Sequence, residues 1–335
     1  LVEHIGFVSP TSYGFMKKER YFSDNRARFG KGLLKALENR VMVRETLGAL
    51  SSFYLDQGDV DRAIDFYRKS MEETVYKNSE GNFIGLGRLF LKKDDPDQSF
   101  QYFMQALEKS RDTARSLERI YQAFKGEKQL EAFIRFSAAV EKDLFETETL
   151  DYLVAQCWID MDRPELARAR LVQVIARQPT ARAHYLMSVA AERQQDWDAM
   201  ELESQRATVL DSGNAGYLSQ FARALSRQKK DDAAEDAVSM AILRAGAPNP
   251  WYLNQRAWVR WSRGNFQGAV DDWKAALDSK KDYPDFMVSI ARALQKMKQY
   301  PEALVWVDRA LVLSPGKTAY SDLKKQLQED IRKEN

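Results

Sequence analysis

Small side chains return along this chain in a fixed phase. One column runs Ala63, Ser99, Ala132, Ala167, Met200, Ala234, Ala269 and Ala303, at spacings of 33 to 36 residues and with Met200 as its one large member. Seven residues after each lies a second column: Ser70, Ala106, Ala139, Val174, Ala207, Ala241, Ala276 and Ala310. Twelve residues before each lies a third: Ser51, Gly87, Ile120, Ala155, Ser188, Ala222, Ala257 and Ala291. Positions seven apart share one face of a helix, so the first two columns mark one helix and the third marks the helix before it. Antiparallel helices approach closely only where small side chains meet, and Tyr67, Phe103, Phe136, Leu171 and Trp273 fill the space between. The pattern predicts eight helix-turn-helix units of about 34 residues. Each is too small to bury its own face and must stack on its neighbours.

These columns resemble the tetratricopeptide repeat family. The best-matching stretch is GNFQGAVDDWKAAL, with Gly264 in the turn and Ala269, Trp273 and Ala276 in the family's places; YPEALVWVDRALVLSPG ends on Pro315, where the family has a terminating proline. The resemblance covers about residues 44–317. It implies an all-α fold, a right-handed α-solenoid of about eight repeats. The turn glycine survives clearly only at Gly58 and Gly264, and the closing proline only at Pro179 and Pro315, so the middle repeats are degenerate. In residues 318–335, Leu323, Leu327 and Ile331 stand four apart among charges, the pattern of a C-terminal capping helix. In residues 1–43, Phe29, Leu33 and Ala36 lie one repeat length before Ala63, Tyr67 and Ser70. They suggest a degenerate further unit over about residues 13–42, after an irregular start.

Composition narrows the class without naming a partner. Charged residues make up 30% and hydrophobic ones 44%, with a formal net charge of +2. This balance gives no reason to expect nucleic acid. The longest apolar runs fall far short of the roughly 20 residues that span a bilayer, so no transmembrane segment is expected. The chain opens on Leu1 without a basic stub and apolar core, and reads as a fragment of a larger protein or a processed product. A single cysteine, Cys157, rules out an internal disulfide and leaves cytoplasm and periplasm equally open.

No catalytic set emerges. His4 and His184 lack partners at ligand spacing, so no metal is expected. Cys157 lies beside the small position Ala155 and reads as a buried, inert thiol. Gly81, Gly85 and Gly87 imitate a phosphate loop, but no strand precedes them and Gly87 belongs to the small column. The acidic runs KKDDPDQ and KKDDAAED sit at turns and helix starts, where carboxylates suit the helix dipole. The expectation is a chain that is not an enzyme and needs no cofactor.

Tryptophan supplies the positive signal. Trp251, Trp258 and Trp261 fall within the stretch WYLNQRAWVRWSRGN, seven and three apart, on one face of a helix. The resemblance implies that the first helix of each repeat lines a concave groove. It places Trp251, Asn254, Trp258 and Trp261 there, although an aromatic at the last position also packs on an adjacent helix. Leu253 and Ala257 then serve the core. Arg256 takes a column that is usually apolar, with Asp272 in the facing helix placed to pair with it. The same registration adds Arg223, Arg227 and Arg292 on neighbouring helices, and Arg88, Leu91, Tyr121, Phe124, Tyr152 and Tyr185 earlier in the chain. Aromatic planes flanked by arginines suit an extended ligand with acidic or planar groups. The lysine and asparagine clamp by which some members hold chaperone tails does not line up here. The expected function is a non-catalytic scaffold binding a peptide segment or partner protein in the groove. The alternative is a subdomain of a bacterial envelope or polysaccharide export assembly, with stacked indoles meeting sugar rings. A regulatory domain of an enzyme outside this chain is the third reading.

Overall fold

A computed structural model describes residues 26–143 and 147–334. All the regular elements among them are helices. They are α1 (Arg26–Glu38), α2 (Val43–Asp56), α3 (Val60–Glu72), α4 (Glu80–Lys92), α5 (Pro96–Glu108), α6 (Thr113–Gly126), α7 (Leu130–Asp143), α8 (Glu148–Asp160) and α9 (Pro164–Arg177). There follow α10 (Ala181–Arg193), α11 (Trp197–Leu210), α12 (Ala215–Arg227), α13 (Asp231–Arg244), α14 (Pro250–Ser262), α15 (Phe266–Ser279), α16 (Pro284–Lys296), α17 (Tyr300–Leu313) and α18 (Thr318–Glu334). From α2 to α17 they form eight helix-turn-helix segments, and α18 closes the series. The chain divides between Cys157 and Trp158 into two compact units.

In the first unit, α1 buries Phe29, Leu33 and Ala36 and packs on Leu50 and Phe53 of α2. The approach is close: a Cβ on Gly30 would stand 2.5 Å from the Phe53 ring. α1 lies within the span of the further unit read from the sequence, about residues 13–42, of which residues 13–25 fall outside the described residues. Gly87, buried in α4, faces Phe103 of α5, where an added Cβ would come within 2.3 Å of the ring. All three glycines of the imitated phosphate loop lie inside α4, so they form a helix rather than a loop, and the amides of Gly85 and Gly87 serve the helix's own hydrogen bonds.

The three columns are buried at every position except Ala139, which is half-buried. That exception exposes a slip of one residue. In the third segment the equivalent positions are Phe133, Val140 and Tyr121, all buried, which restores a spacing of 34 residues on either side. Two large aromatics therefore stand where other segments place small residues, with ring centroids 5.0 Å apart and edge on. Phe124 and Phe136 fill the widened space and also meet Phe103 from α5, at centroid distances of 5.3 to 5.8 Å. Such edge-to-face aromatic packing compensates for the lost close approach.

The turn inside each segment obeys one rule. Its central residue has a positive φ: Gly58, Asp94, Lys128, Asp162, Gln195, Lys229, Gly264 and Lys298. At Gly264 the amide donates to Trp261 O at 2.9 Å, and the next amide, Asn265, donates to Arg260 O at 2.9 Å. The same pair of bonds recurs at the other seven turns, closing the helix C-terminus as a Schellman motif. The residue after the left-handed one then opens the next helix. Asp59, Asp95, Asp196 and Asn265 each accept a backbone N–H three residues on through the side chain. The turn geometry thus persists where glycine does not, because the backbone bonds demand the conformation and most side chains tolerate it at a cost of about 1 kcal/mol.

In the second unit, a core of α14–α18 residues centres on Trp273, Phe286, Ile290 and Val307, and Tyr320, Leu323 and Leu327 dock α18 against it. A polar clasp joins α18 to α16: Tyr320 Oη donates to Asp285 at 2.5 Å and Lys317 Nζ stands 3.4 Å from the same carboxylate. The Tyr320 hydroxyl, then Lys317, hold the Asp285 carboxyl below its ordinary range.

Two outcomes follow for stability. No atom lies within 4 Å of a Cβ on Gly264, so Gly264→Ala tests φ alone and is expected to destabilise by about 1 kcal/mol, while Lys298→Gly is expected to stabilise by somewhat less. All seven tryptophans lie beyond residue 157, so tryptophan fluorescence during urea unfolding reads the second unit directly. The Asp285 clasp has a depressed folded pKa. Its contribution is complete above the unfolded value near 3.8 and is lost as pH falls through the folded value. Acidification below the unfolded value is expected to cost the wild type more of its neutral-pH stability than it costs Asp285→Asn, read from the urea midpoints of the two at each pH.

Candidate functional site

The site is built on α14. Asn249 caps it, its Oδ1 accepting the Trp251 amide at 2.9 Å, and Pro250 supplies the preset first-turn φ. Leu253, Ala257 and Val259 point into the core. So does charge. Asp272, on α15, is only 3% exposed and receives Arg256 through both oxygens, at 3.0 and 2.7 Å, and Arg260 at 3.0 Å. Arg256 also reaches Ser239 Oγ at 3.3 Å, while Arg260 donates to Glu235 Oε1 at 2.8 Å, both acceptors lying on α13. The pairing read from the sequence is thus one half of a network that ties α13, α14 and α15. The Asp272 hydrogen bonds push the Arg256 pKa up. Burial works against ionising Glu235, but bonds from Arg260 and Arg263 outweigh it and hold the carboxyl below its ordinary value.

With the arginines turned in, the tryptophans are left at the surface. Trp251 is 49% and Trp258 43% exposed, and Trp261 is half-buried. Trp258 rests edge on against buried Trp273 at 5.2 Å and lies 5.8 Å from Trp261, which packs on Phe266 at 5.1 Å. One end of the stripe is thereby rigid. Trp251 stands against Tyr283 at 5.5 Å, with Lys280 Nζ 4.5 Å over the Trp251 ring. Next to Trp261 opens a cleft of about 420 Å³ lined by Arg292, Gln295 and Lys296 of α16 and by Ala319, Asp322 and Leu323 of α18. Arg292 and Lys296 are exposed and have no ion-pair partner among the described residues.

Several expected groove residues are already engaged. Asn254 accepts the Trp273 indole N–H at 2.8 Å, the acceptor a buried tryptophan requires. Arg223 lies 3.3 Å from Glu192, and Arg227 stacks on Trp197 at 5.4 Å. Tyr185 lies 5.2 Å from Tyr217, and burial raises the pKa of both phenols. Arg88 is exposed, but it belongs to the first unit. Tyr121 is not a surface residue: it is 2% exposed, buried against Phe133 by the one-residue shift in register. Leu91, Phe124 and Tyr152 are buried as well, Phe124 among the rings of Phe103, Phe133 and Phe136. Cys157 is buried, with Sγ 3.5 Å from Leu130 O. His184 is buried with Nδ1 2.6 Å from Glu203; His4 lies outside the described residues. Sequence reasoning missed the α18 wall of the cleft. Its signal was the amphipathic C-terminal pattern, which was credited wholly to capping.

Paired helices with a shared turn geometry, stacked without strands, define a helical-repeat scaffold of the kind that binds proteins. Two family profiles match the chain, both described as tetratricopeptide repeat, one over residues 46–80 and the other over 159–215 and 254–318. Over those residues the chain is built of tetratricopeptide repeats. No curated protein matches it. Among solved structures, a tetratricopeptide repeat protein from Parabacteroides merdae aligns with 75% of this chain and 98% of its own at 12% identity and a TM-score of 0.48. Yeast Tom70 aligns over 86% of this chain and 81% of its own at 14% identity and TM-score 0.46. MamA aligns over 50% and 98% at 17% identity and the same score. No helix among the described residues is long and apolar enough to cross a membrane, and no group of potential metal ligands occurs among them.

Removing Asp272 leaves two arginines without their buried acceptor. Asp272→Ala is expected to destabilise the second unit by about 3 to 5 kcal/mol, read from the urea midpoint of tryptophan fluorescence. An unchanged midpoint would contradict the role assigned to this network.

Proposed function

We propose that the chain is a non-catalytic scaffold that binds an extended peptide segment of a partner protein on the first-helix face of its second unit. The principal contacts are Trp258, Trp261, Arg292 and Lys296, with Trp251 at the far end of the stripe. One observation carries this reading: two exposed cations without counter-ions stand beside a cleft and a tryptophan pair that is partly solvated yet fixed in orientation. Rigid indoles lose little entropy on binding, and unpaired guanidinium and ammonium groups favour acidic side chains. The ligand is therefore a segment carrying carboxylates near an aromatic or aliphatic anchor.

The test is a fluorescence titration of the full chain with a panel of acidic-aromatic peptides, in the absence and presence of excess oligosaccharide. Peptide binding is expected to survive the sugar. It is expected to weaken about tenfold or more in Trp258→Ala and in the double variant Arg292→Ala, Lys296→Ala. Quenching driven by sugar and lost in Trp258→Ala would shift the reading to the envelope or polysaccharide export assembly. If no ligand of either class perturbs the fluorescence, the tryptophans serve packing only.

A further inference from the structure

The second helices of the second unit carry another surface, remote in composition from the peptide face and sharing no lining residue with it. Between α15 and α17 opens a cleft of about 710 Å³ floored by Leu277 and by buried Met287. Trp306 forms one wall, with the Arg309 guanidinium 4.4 Å and the Lys274 ammonium 5.8 Å from its ring. Beside it, Val305, Leu313 and Val312 are 57%, 41% and 81% exposed. Three aliphatic side chains left open around a tryptophan are more apolar surface than α17 needs for its own fold, which buries Ala303, Val307 and Ala310 instead.

Charge along this cleft is ordered. Lys274 and Arg309 stand at the Trp306 end; Asp278, one helical turn or about 6 Å further along α15, and Asp282 stand at the other, with Lys281 between them. Lys274 shares a contact with Glu302 at 3.2 Å, but Arg309, Asp278 and Asp282 have no ion-pair partner among the described residues. A single ligand helix of one charge would meet repulsion at one end. A copy of the same surface turned through 180° would not, because a two-fold axis near Val312 sets the basic end of each copy against the acidic end of the other. Such self-complementarity is what a two-fold interface requires.

We propose that this chain forms a two-fold dimer through the α15/α17 face, with Val312, Leu313 and Trp306 at its centre and Arg309 facing Asp278 and Asp282 of the second copy. Ten residues line the cleft, fewer than the roughly 20–30 a side of a standard stable interface, so the association is reversible and concentration-dependent.

Sedimentation velocity of the full chain across a micromolar concentration series is the test. A monomer–dimer equilibrium is expected, and Val312→Glu is expected to raise its dissociation constant about tenfold or more. Because Val312 is exposed, this variant should keep the wild-type melting temperature at low concentration, which separates lost association from lost folding. Arg309→Asp should weaken the dimer similarly, and Arg309→Asp combined with Asp278→Arg should restore it. The proposal is overturned by a chain that stays monomeric throughout, by a dimer indifferent to Val312→Glu, or by a charge exchange that fails to restore association. The peptide titration uses other residues, so either proposal can fail alone.

Discussion

The fold depends on how closely two antiparallel helices can approach. A pair of helices of 13 or 14 residues has too little surface to bury by itself. It gains burial only if the backbones come near enough for side chains to interlock with the next pair as well. Alanine, serine and glycine at three fixed positions allow this, and the bulky residues between them, Phe103 and Trp273 among them, are wholly buried as a result. At Gly87 the tolerance is so small that a methyl group would collide with the Phe103 ring. Where Tyr121 and Phe133 violate the rule, the aromatic cluster with Phe124 and Phe136 supplies the missing burial by another route.

Close approach also explains which features of the repeat last and which drift. A wrong side chain in the small column forces helices apart and costs about 1–3 kcal/mol of packing. A wrong side chain at the left-handed turn position costs about 1 kcal/mol, because the Schellman bonds form regardless. Six of the eight turns accordingly dispense with glycine, while the columns keep small residues at most positions, with Met200, Tyr121 and Phe133 as large exceptions. The middle repeats read as degenerate by their turns, yet their backbone geometry is that of the others.

The same asymmetry sets what the sequence could disclose. Period and helix order were legible because small residues at fixed spacing are visible in one sequence. The Arg256–Asp272 pair was legible because a charge in an apolar column needs a nearby opposite charge. The slip at Ala132 was not, since Ala132 and Phe133 are adjacent and both are buried, and only the turn conformation at Lys128 decides between them. That slip is what put Tyr121 on the wrong face. The engagement of Asn254 was not legible for a different reason: its partner, the Trp273 indole, is nineteen residues away, and nothing in the pattern marks which polar group a buried N–H will recruit. The α15/α17 cleft escaped notice because exposed valines and leucines on a second helix do not disturb the period.

On α14 the usual arrangement of a helix is partly inverted, and this connects the core to the candidate surface. Arg256 and Arg260 run inward to Asp272 and Glu235, so the core side of the helix holds the charge and the tryptophans lie on the face left over. A buried acceptor matched by two guanidinium groups tolerates no rearrangement that would bury an indole in their place, because the uncompensated charge would cost several kcal/mol. The network therefore fixes the rotation of α14 about its axis, and through Trp273 it also fixes the plane of Trp258. It consumes both acidic partners within reach, Asp272 and Glu235. On α16 the one carboxylate, Asp285, is taken by Tyr320 and Lys317 at the other end of the helix, and Arg292 and Lys296 remain without an ion-pair partner among the described residues beside the cleft. The aromatic stripe is thus held rigid from beneath, and one helix further on Arg292 and Lys296 set positive charge beside it.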